Sequence, residues 1–506
     1  MANVKIDKFC GICPRLHPTM LADGMAVRAH NCRLKNGKIV PIKDPLKVAD
    51  SMISLENGLK RIADAKTIYP WKRRVNGVTE LQFLAFPGIV DIAVGNIADD
   101  EYNRLFVTGE TGISFTDPYT GKVHENVPCV YLKQNGSDTI IRHCLVKAPL
   151  APPLIANDNG NQDPDSTRYT RFFQTWVDKY GYESGVSEPS WAHVLNAGGE
   201  GVHKWLSTDT EYNDGDTVQI EALSSSVYAD NNIPTFIPPG SVNPDGTFNP
   251  QSGCKRRIYK VITGEQTESV RFLKEISENP WRGDAIRVKD EDSGEVLTEV
   301  TAIPTDLHNM IHVPGNFYVG FSPSSPKTVM FSEVNIPYSW PIDYRYDIRD
   351  NIVGIAVTSN SVFVLTDGYP WVISGTSPES MVASVLAGPA ACVSKRSICT
   401  YRNSVFYASH QGVCTIFNDA DSGTVVQNLT DKFFTKEQWQ ALNPSTCLMR
   451  QYDGALHCFF KTANGPVGLT IDLTESECSI TTHSEEAASV CVDDETDTLY
   501  FVREGV

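Results

Sequence analysis

The sequence lacks long apolar runs and an excess of positive charge, and each absence excludes a class of protein. No apolar run approaches the roughly 20 residues that a membrane-spanning helix needs, so we expect no membrane span. The opening residues, MANVKIDKFCG, contain no apolar stretch of the signal-peptide type, so we expect no export by that route. Acidic residues outnumber basic ones by 61 to 44, and the net charge is −17. Because phosphate binding requires clustered Lys and Arg, this balance disfavours a protein that grips nucleic acid, although a duplex could slide past a negative wall.

Motifs of catalysis are also missing. The chain contains no P-loop and no GxGxxG turn that opens a helix. His308 and His312 are four residues apart, but their MIHVP context indicates strand or loop, and His-Glu-x-x-His is absent. Ser394–Ser397 has no Ser-x-x-Lys order and no nearby His with a carboxylate to activate a serine. We therefore predict a protein that is not an enzyme, with no catalytic residue, cofactor-binding residue or cofactor.

Residue types that a sialidase uses are present, but without its characteristic repeat. Such a site needs several convergent arginines, an Asp acid/base and a Tyr–Glu pair. No Asp-box (Ser-x-Asp-x-Gly-x-x-Trp) accompanies the candidates in this chain, so they do not change the prediction. The candidates are Glu333, Tyr344, Arg345, Arg349, Arg396 and Arg402.

Composition and cysteine usage indicate a globular protein. The chain has 506 residues, of which 41% are hydrophobic and 21% are charged, and its length predicts two to four domains. Thirteen cysteines are an odd number and follow no repeating spacing. This pattern favours reduced thiols used as small core residues over disulfides. Cys414 and Cys458 lie inside apolar strand-like runs, as core thiols would.

Metal-ligand residue types gather near the N-terminus. Cys-x-x-Cys resembles half of a zinc knuckle, but no second Cys-x-x-Cys and no His-x₃-His follows at the proper spacing. We therefore favour buried thiols and surface histidines, and predict no metal site here. The residues concerned are Cys10, Cys13, His17, His30 and Cys32.

An acid-rich loop, NDNGNQDPDS, suggests calcium through Asp158, Asp163 and Asp165. The loop lacks the order of an EF-hand and has no closing Glu at its twelfth position. We favour a solvated loop and predict no calcium site.

The stretch 319–418 is the part of the chain around which the rest is organised. Short runs rich in Val, Ile, Phe and Tyr recur there, each bounded by Gly, Pro, Asn, Asp or Ser. Such runs are typical of strands packed into repeated small antiparallel sheets, so we predict blades of a β-propeller. The runs are Thr328–Ser332, Ile352–Val357, Val362–Thr366, Trp371–Ser374, Val405–Ser409 and Gly412–Phe417.

Residues 1–146 are predicted to form an irregular N-terminal arm or platform, followed by the first propeller strands. The arm, Phe9–Pro45, is rich in Gly and Pro. Asn135-Gly136 is a hairpin turn signal. The predicted strands of this part are Leu81–Phe86, Val90–Gly95, Arg104–Thr108 and Val130–Lys133.

Residues 147–300 are predicted to form an inserted β-sandwich of fibronectin or immunoglobulin type. A Pro-rich linker, Ala148–Pro153, precedes it. Alternating strands separated by long turns follow, with Trp176 as the expected core aromatic and Tyr259 on a late strand. The loop Ile233–Cys254 is suited to contacts with neighbouring subunits.

Residues 301–506 are predicted to hold the main propeller region and its closing strands. Within them Leu429–Pro444 is the clearest helix, because Thr435 and Gln438 form a capping box. Asp453-Gly454 is a type I′ turn signal between two strands. The predicted C-terminal strands are Thr446–Gln451, Ala455–Lys461, Val467–Leu473, Ser489–Val492 and Thr498–Val502.

Many phrases of this chain, in the same order, resemble the tail nozzle (tail hub, or tail tubular B-type) proteins of short-tailed bacteriophages. None of the phrases is a catalytic signature. Where the family usually has GGI, this chain has Cys10-Gly11-Ile12, which argues against a family-wide metal site. The resembling phrases are Gly11–Arg15, Gly37–Pro41, Thr175–Ser190, Arg257–Val261, Val329–Glu333, Ile336–Pro341, Ile352–Val357, Val362–Met381, Cys392–Ile398, Val405–Val413 and Thr430–Pro444.

The resemblance implies a structural virion protein of the phage tail, assembled in the cytoplasm of the bacterial host. It implies a homohexameric tube below the portal and its adaptor, through which genomic DNA is retained and ejected without sequence-specific binding. The implied partners are head-to-tail adaptor or connector proteins and tail fibres or receptor-binding proteins.

Two alternatives remain open on the sequence. One is a tail propeller that binds or cleaves host-surface carbohydrate, with Tyr338, Trp340, Tyr344 and Tyr346 stacking on sugars; we favour the interpretation that these residues close a blade. The other is a capsid decoration or other minor virion protein, which position and stoichiometry in the particle would separate from a nozzle.

Overall fold

A computed structural model describes most of the chain outside the predicted insert and separate parts of the insert. None of its described helices is long and apolar enough to cross a membrane. The described residues are 8–35, 38–42, 45–46, 65–75, 78–97, 100, 102–116, 121–132, 139–144, 148–149, 153, 155–157, 169–190, 193–194, 218–220, 255–263, 268–276, 284–286, 294–298, 300–359, 361–388, 391–419, 423–474 and 477–503.

Up to residue 157 the described elements are short strands and one 3₁₀ turn, Pro18–Met20. The strands are β1 (Gly11–Ile12), β2 (Met25–Ala26), β3 (Cys32–Lys35), β4 (Lys38–Pro41), β5 (Thr67–Val75), β6 (Val78–Phe86), β7 (Val90–Val94), β8 (Leu105–Gly109), β9 (Phe115–Thr116), β10 (Val123–His124), β11 (Cys129–Leu132), β12 (Ile140–His143) and β13 (Ile155–Asn157).

Between residues 169 and 286 the described elements are again strands. They are β14 (Tyr169–Thr170), β15 (Phe172–Val177), β16 (His193–Val194), β17 (Val218–Ile220), β18 (Lys255–Thr263), β19 (Glu268–Ile276) and β20 (Asp284–Ile286).

From residue 308 onward the strands are more regular, and one short α-helix, α1 (Lys436–Ala441), interrupts them. Further 3₁₀ turns lie at Ile342–Tyr344, Pro378–Ser380, Lys395–Ser397 and Pro444–Thr446. The strands are β21 (His308–Val313), β22 (Phe317–Ser322), β23 (Ser325–Phe331), β24 (Arg345–Asp347), β25 (Ile352–Val357), β26 (Val362–Thr366), β27 (Trp371–Ser374), β28 (Val382–Val385), β29 (Cys399–Tyr401), β30 (Ser404–Ala408), β31 (Val413–Asp419), β32 (Gly423–Asn428), β33 (Leu448–Tyr452), β34 (Ala455–Thr462), β35 (Gly465–Asp472), β36 (Ser479–His483), β37 (Ser489–Asp493) and β38 (Thr498–Val502).

The described part of the protein is mostly β and consists of many small sheets. Four antiparallel sheets each have four consecutively paired strands: β7–β8–β11–β12, β21–β22–β23–β24, β25–β26–β27–β28 and β29–β30–β31–β32. A fifth run, β33–β34–β35–β36, is extended by β1 and β2, which pair in parallel beyond β36. The hairpins β5–β6 and β37–β38 lie side by side and contact each other. This repetition of small antiparallel sheets is propeller-like.

Apolar clusters fill the gap between each of these units and the next. For example, Phe106 and Tyr318 join β8 to β22, and Val364 and Phe331 lie in the cluster between the next two sheets. Further clusters join the sheets in chain order up to β37–β38, and β5–β6 packs on the sheet β7–β8–β11–β12. The succession of units therefore returns to its starting sheet, and the first and last hairpins meet.

Several sequence predictions are confirmed in this part of the chain. β25, β26 and β27 have the predicted bounds, whereas β23 begins three residues earlier than predicted and ends one residue earlier. Asp453 and Gly454 both have positive φ values, 45° and 76°, which fit the predicted type I′ turn between β33 and β34. Cys414 and Cys458 are buried in strands, as expected of core thiols.

The predicted helix is present but shorter than its sequence signal. Thr435 caps it, because its hydroxyl accepts from the Gln438 backbone N–H and the Gln438 side chain accepts from the Thr435 N–H. Trp439 is fully buried, and its Nε1 donates to the carbonyl of Ser409 at 2.8 Å. The helix thus docks on the neighbouring sheet.

Within the predicted insert, β15, β18 and β19 form one antiparallel sheet. Trp176 is fully buried, as predicted, and Tyr259 is buried on β18. Glu183 joins three groups there, because its carboxylate accepts from Arg257 at 2.7 Å and also from the hydroxyls of Tyr259 and Thr175. The boundaries 1–146, 147–300 and 301–506 stay predictions. Asn135-Gly136 and the loop of residues 233–254 lie outside the described residues. The strands β11 and β12, on either side of Asn135-Gly136, are described.

Candidate functional site at the inner strands

Polar side chains on the first strands of three sheets, and in the turn that precedes β29, reach across to neighbouring units. On β7, Asp91 Oδ2 accepts from the Asn309 backbone N–H at 2.8 Å and from Lys395 Nζ at 2.5 Å. Asn309, on β21, in turn accepts through Oδ1 from the backbone N–H of Ile355 on β25, at 2.8 Å. One carboxylate and one amide therefore connect three sheets and the turn that precedes β29. We call Asp91, Asn309, Lys395, Arg396 and Arg450 the inner-strand network.

The second half of the network connects the remaining units. Arg396 Nη2 donates to the carbonyl of Lys66 at 3.0 Å and to the carbonyl of Ala488. Arg450, on β33, donates through Nη1 to the Arg396 carbonyl at 3.3 Å. Arginine suits this position because its planar fork presents several donors to separate acceptors. The network therefore reaches the five larger sheets and, through the residues that precede β5 and β37, both hairpins.

Local backbone geometry makes room for this network. Asn309 has a positive φ of 58°, a conformation that Asn adopts more readily than most residues. A Cβ on Gly354 would lie 2.5 Å from Ile398 Cδ1 and 3.1 Å from Asn309 Oδ1, so a side chain there would displace both. Glycine at position 354 thus lets Asn309 bond the backbone of β25.

The Asp91–Lys395 ion pair of the network is partly shielded from water. The Asp91 and Lys395 side chains are 15% and 23% exposed, so their attraction is only partly screened by water. Burial lowers the pKa of nearby His308, and the Lys395 charge lowers it further, so this imidazole is neutral at pH 7. The side chains of the inner-strand network bond one another or main-chain atoms, which suits the fixing of sheets.

The N-terminal metal candidates lie in separate settings. Cys13 is buried, and its Sγ lies 3.4 Å from the Lys432 carbonyl. His17 bonds Thr19 two residues further on, and His30 Nδ1 lies 2.9 Å from the hydroxyl of Thr482.

Cys10 and Cys32 are half-buried, and burial raises the pKa of Cys32. In the described part of the chain, no group of three or more His, Cys, Asp or Glu is arranged to hold a metal ion. The calcium candidates Asp158, Asp163 and Asp165 lie outside the described residues.

The aromatic residues considered for sugar stacking are engaged within the protein. Trp340 is not available to a sugar, because its side chain is fully buried and its Nε1 donates to the Pro337 carbonyl at 2.9 Å. Burial raises the pKa of Tyr338 to about 12, and its hydroxyl accepts from the Glu183 N–H. The Tyr344 hydroxyl donates to a carboxylate oxygen of Glu379 at 2.9 Å.

The Tyr346 hydroxyl likewise donates to the Pro378 carbonyl at 2.6 Å. Because Tyr344 and Tyr346 both bond the Pro378–Ser380 turn, they join β24 to the following sheet. All four aromatics thus serve junctions between parts of the chain, as the blade-closing interpretation expects.

The residues considered for a sialidase site occupy different places. Arg396 belongs to the inner-strand network. Arg349 is exposed and pairs with Asp350, and Arg402 lies in the turn between β29 and β30 with its guanidinium over the Tyr401 ring.

Glu333 accepts from the Val334 N–H, and Tyr344 bonds Glu379 as described above. Arg345 is exposed on β24. Their structural environments therefore differ from one candidate to the next.

Sequence reasoning missed most of the inner-strand network. The sequence pattern raises Ser394–Ser397 for a nucleophilic serine and Arg396 for a sialidase site, whereas Lys395 and Arg396 are cross-sheet groups. The Ser394 hydroxyl donates to the Cys447 carbonyl at 2.7 Å and so has a structural partner. A polar residue inside an apolar strand, such as Asp91 in VDIAV, is the one signal that could have pointed to the network.

Comparison with known proteins gives weak similarities. No family model and no curated protein matches the sequence. Among solved structures, Citrobacter koseri AztD is similar over 66% of this chain and 76% of its own, with 12% identity and a TM-score of 0.29. Hsv2 of Kluyveromyces lactis is similar over 46% of this chain and 59% of its own, with 8% identity and a TM-score of 0.24. An exported protein of Bacteroides fragilis covers 44% of this chain and 68% of its own, with 8% identity and a TM-score of 0.24. TM-scores this low assign neither a family nor a function to the chain.

Proposed function

We propose that the protein is a structural subunit of the tail nozzle of a short-tailed bacteriophage. The proposal starts from the ordered phrases that resemble such proteins. The observation that carries it is where three of those phrases lie in the fold: each contains a residue at a junction between units. Lys395 and Arg396 of the phrase Cys392–Ile398 belong to the inner-strand network. Trp340 and Trp439, from two other phrases, are buried at junctions between units. Stable junctions between units are what a structural subunit of a tube requires.

For the architecture, we propose a β-propeller whose blades are the successive small sheets. The hairpins β5–β6 and β37–β38 would together make the blade that closes the ring, which would suit a duct that resists opening. The sheet β15–β18–β19 would belong to an inserted fibronectin-like sandwich, and the residues before β5 to an N-terminal arm. The closed succession of apolar clusters supports this proposal.

For the assembly, we propose a homohexamer around an axial lumen in the virion tail. The portal adaptor would bind at one end, and fibres or receptor-binding proteins would attach outside. The net charge of −17 supports a lumen that DNA passes without adhering, because each phosphate contact would add salt-dependent affinity.

Electron microscopy and native mass spectrometry of the purified full chain would test this proposal. We expect six-fold rings with an axial channel, and unchanged rings after treatment with a chelator. A trimer that binds or cleaves lipopolysaccharide would overturn the proposal in favour of a receptor-binding propeller. A protein that stays monomeric both in isolation and within particles would overturn it as well.

A further inference from the structure

One face of the sheet β33–β36 buries a row of polar side chains. Their exposures range from 2% to 8%, and they alternate along the strands with apolar residues of the opposite face. In the strand register, Thr470 lies between His457 and Thr481. Among the described residues, His457 Nε2 and the hydroxyls of Thr470 and Thr481 have no hydrogen-bond partner. The row consists of His457, Thr470, Asp472, Thr481 and His483.

His483 occupies space that is free because residue 468 is a glycine. Its partner in the register is Gly468, and a Cβ there would lie 2.0 Å from His483 Cε1. The Phe459 ring of β34, on the far side of Gly468, packs against the imidazole with 5.1 Å between ring centroids. The ring is therefore enclosed by backbone and an aromatic side chain, an environment that disfavours a charged imidazole.

A short N-terminal segment helps to cover this face. We call residues 30–35 and 38–41, which include β3 and β4, the strap. The strap begins on β36, where the Asn31 N–H donates to the Thr482 carbonyl at 2.8 Å, and β3 then packs on β35 and β36. Arg33 and Lys35 pair with Asp453 at 2.8 and 3.0 Å.

Few apolar contacts hold the strap in place. Leu34 is its buried residue within the described positions, and all four residues of β4 are exposed. The hairpin β37–β38 covers the other end of the same face and is better anchored. Val490 of this hairpin is buried, and its Phe501 packs on Phe459. Releasing the strap therefore costs less free energy than releasing the hairpin.

Charged groups surround the two histidines from each side. Arg33 of the strap opposes protonation of His457, whereas Glu485 favours protonation of His483. The titratable and charged groups near the histidines are His30, Arg33 and Lys35 of the strap, Tyr452, Asp453 and Asp472 of the sheet, and Glu485 with its partner Arg503 beside β37–β38.

Burial is the main cause that holds both imidazoles neutral. It lowers the pKa of His457 to about 3, with Arg33 adding to the effect, and lowers the pKa of His483 to about 4. An exposed histidine titrates near 6.5, so protonation favours the state in which the rings reach water. The covered state is therefore fully stable above about pH 6.5 and weakens as pH falls toward 4. At pH 4.5 each histidine exposed by release weakens covering by roughly 50- to 100-fold.

We propose that the strap is an acid-sensitive latch, which lies on the sheet while His457 and His483 are neutral and leaves it when they take up protons. A protonated His457 repels Arg33, which belongs to the strap itself. Burial acts to raise the pKa of Asp453, but hydrogen bonds from Lys35 and Arg33 hold it below its usual value. The ion pairs thus persist while the histidines titrate, and the imidazoles set the pH of release. This inference does not depend on the proposed function.

Hydrogen–deuterium exchange of the full chain between pH 7.5 and pH 4.5, corrected for intrinsic rates, tests the latch. We expect amides of residues 29–35 and of Thr481–Ser484 to lose at least tenfold of their protection at pH 4.5. Protection of Phe317–Ser322 should remain, because that strand is buried in another sheet. Equal protection at both pH values would overturn the proposal. Simultaneous loss of protection across Phe317–Ser322 would overturn it too, since the whole protein would then be unfolding.

Variants assign the effect to the two histidines. A double variant, H457Q with H483Q, should keep its protection at pH 4.5, whereas H410Q, which alters an exposed histidine, should behave like the unmodified protein. Loss of protection in the double variant equal to that of the unmodified protein would overturn the role of the histidines. Should the double variant fail to fold, Asp453→Asn provides a second measurement. Loss of its pairs with Arg33 and Lys35 should move the midpoint of release to higher pH, and an unchanged midpoint would count against the latch.

Discussion

The two faces of the sheet β33–β36 are built from alternating residues of the same strands, yet their chemistry is opposite. One face presents residues such as Cys458, Leu469 and Ile471 to the neighbouring sheet and helix α1. The other presents His457 and Thr470, which are buried without full pairing. Apolar burial stabilises by roughly 25 cal/mol per Å², whereas an unpaired buried polar group costs about 1–3 kcal/mol. The comparison indicates that the face toward α1 is apolar throughout, whereas the other face is apolar only where it meets β37–β38 and is weakly packed along the polar row.

The largest expected effect comes from removing the aromatic anchor on the apolar side. Trp439→Ala should lower the free energy of unfolding by about 3–5 kcal/mol, because it leaves a cavity and removes the donor to the Ser409 carbonyl. Trp439→Phe, the matched control, keeps most of the buried area and should cost less than half as much. Urea denaturation followed by circular dichroism measures both changes. A loss below 1 kcal/mol for Trp439→Ala would break the comparison, because the apolar face would then not be the source of stability.

The comparison becomes sharper with two neighbours on β35 that point to opposite faces. Ile471→Thr should destabilise by about 2–4 kcal/mol, since it replaces a buried ethyl group with a hydroxyl among apolar groups. Thr470→Val should be neutral or stabilising by up to about 1 kcal/mol, because it replaces an unpartnered hydroxyl with a methyl of the same shape. The two variants thus differ in sign in one denaturation experiment. Equal losses for both would contradict the assignment of the two faces.

How far the sequence predicts this fold depends on the range of the interaction. The bounds of β25–β27, the turn at Asp453-Gly454 and the cap at Thr435 follow from local chemistry, because turn residues and strand propensities act within a few positions. Contacts such as Asp91 with Lys395 join residues 304 positions apart.

No local pattern encodes such a pairing. Trp340 shows the same limit, because turn composition near it is compatible with either exposure or burial, and tertiary packing decides. The row around His457 could not be predicted from the sequence either, since only the strand register brings its members together.

The inner-strand network offers a third, intermediate test. Asp91→Asn should cost about 1.5–3 kcal/mol, because Lys395 loses its counter-ion at a site that water reaches only in part. Asp431→Asn is the control, since that carboxylate is 78% exposed and 3.9 Å from Arg15, and it should change stability by less than about 0.5 kcal/mol. Chemical denaturation at pH 7 compares them. If both variants lose the same small amount, the network does not fix the sheets, and the two faces of β33–β36 alone account for the stability of this region.

The smallest effect separates burial from helix formation on the apolar side. Thr435→Ala removes the acceptor of the Gln438 N–H and should cost about 1 kcal/mol, while Thr435→Ser keeps the acceptor and should cost less. The loss is modest because the freed N–H groups lie near the surface and can bond water. Circular dichroism with urea denaturation measures it. A loss as large as that of Trp439→Ala would mean that forming the helix limits stability, and that the apolar face contributes through α1 rather than through its own buried area.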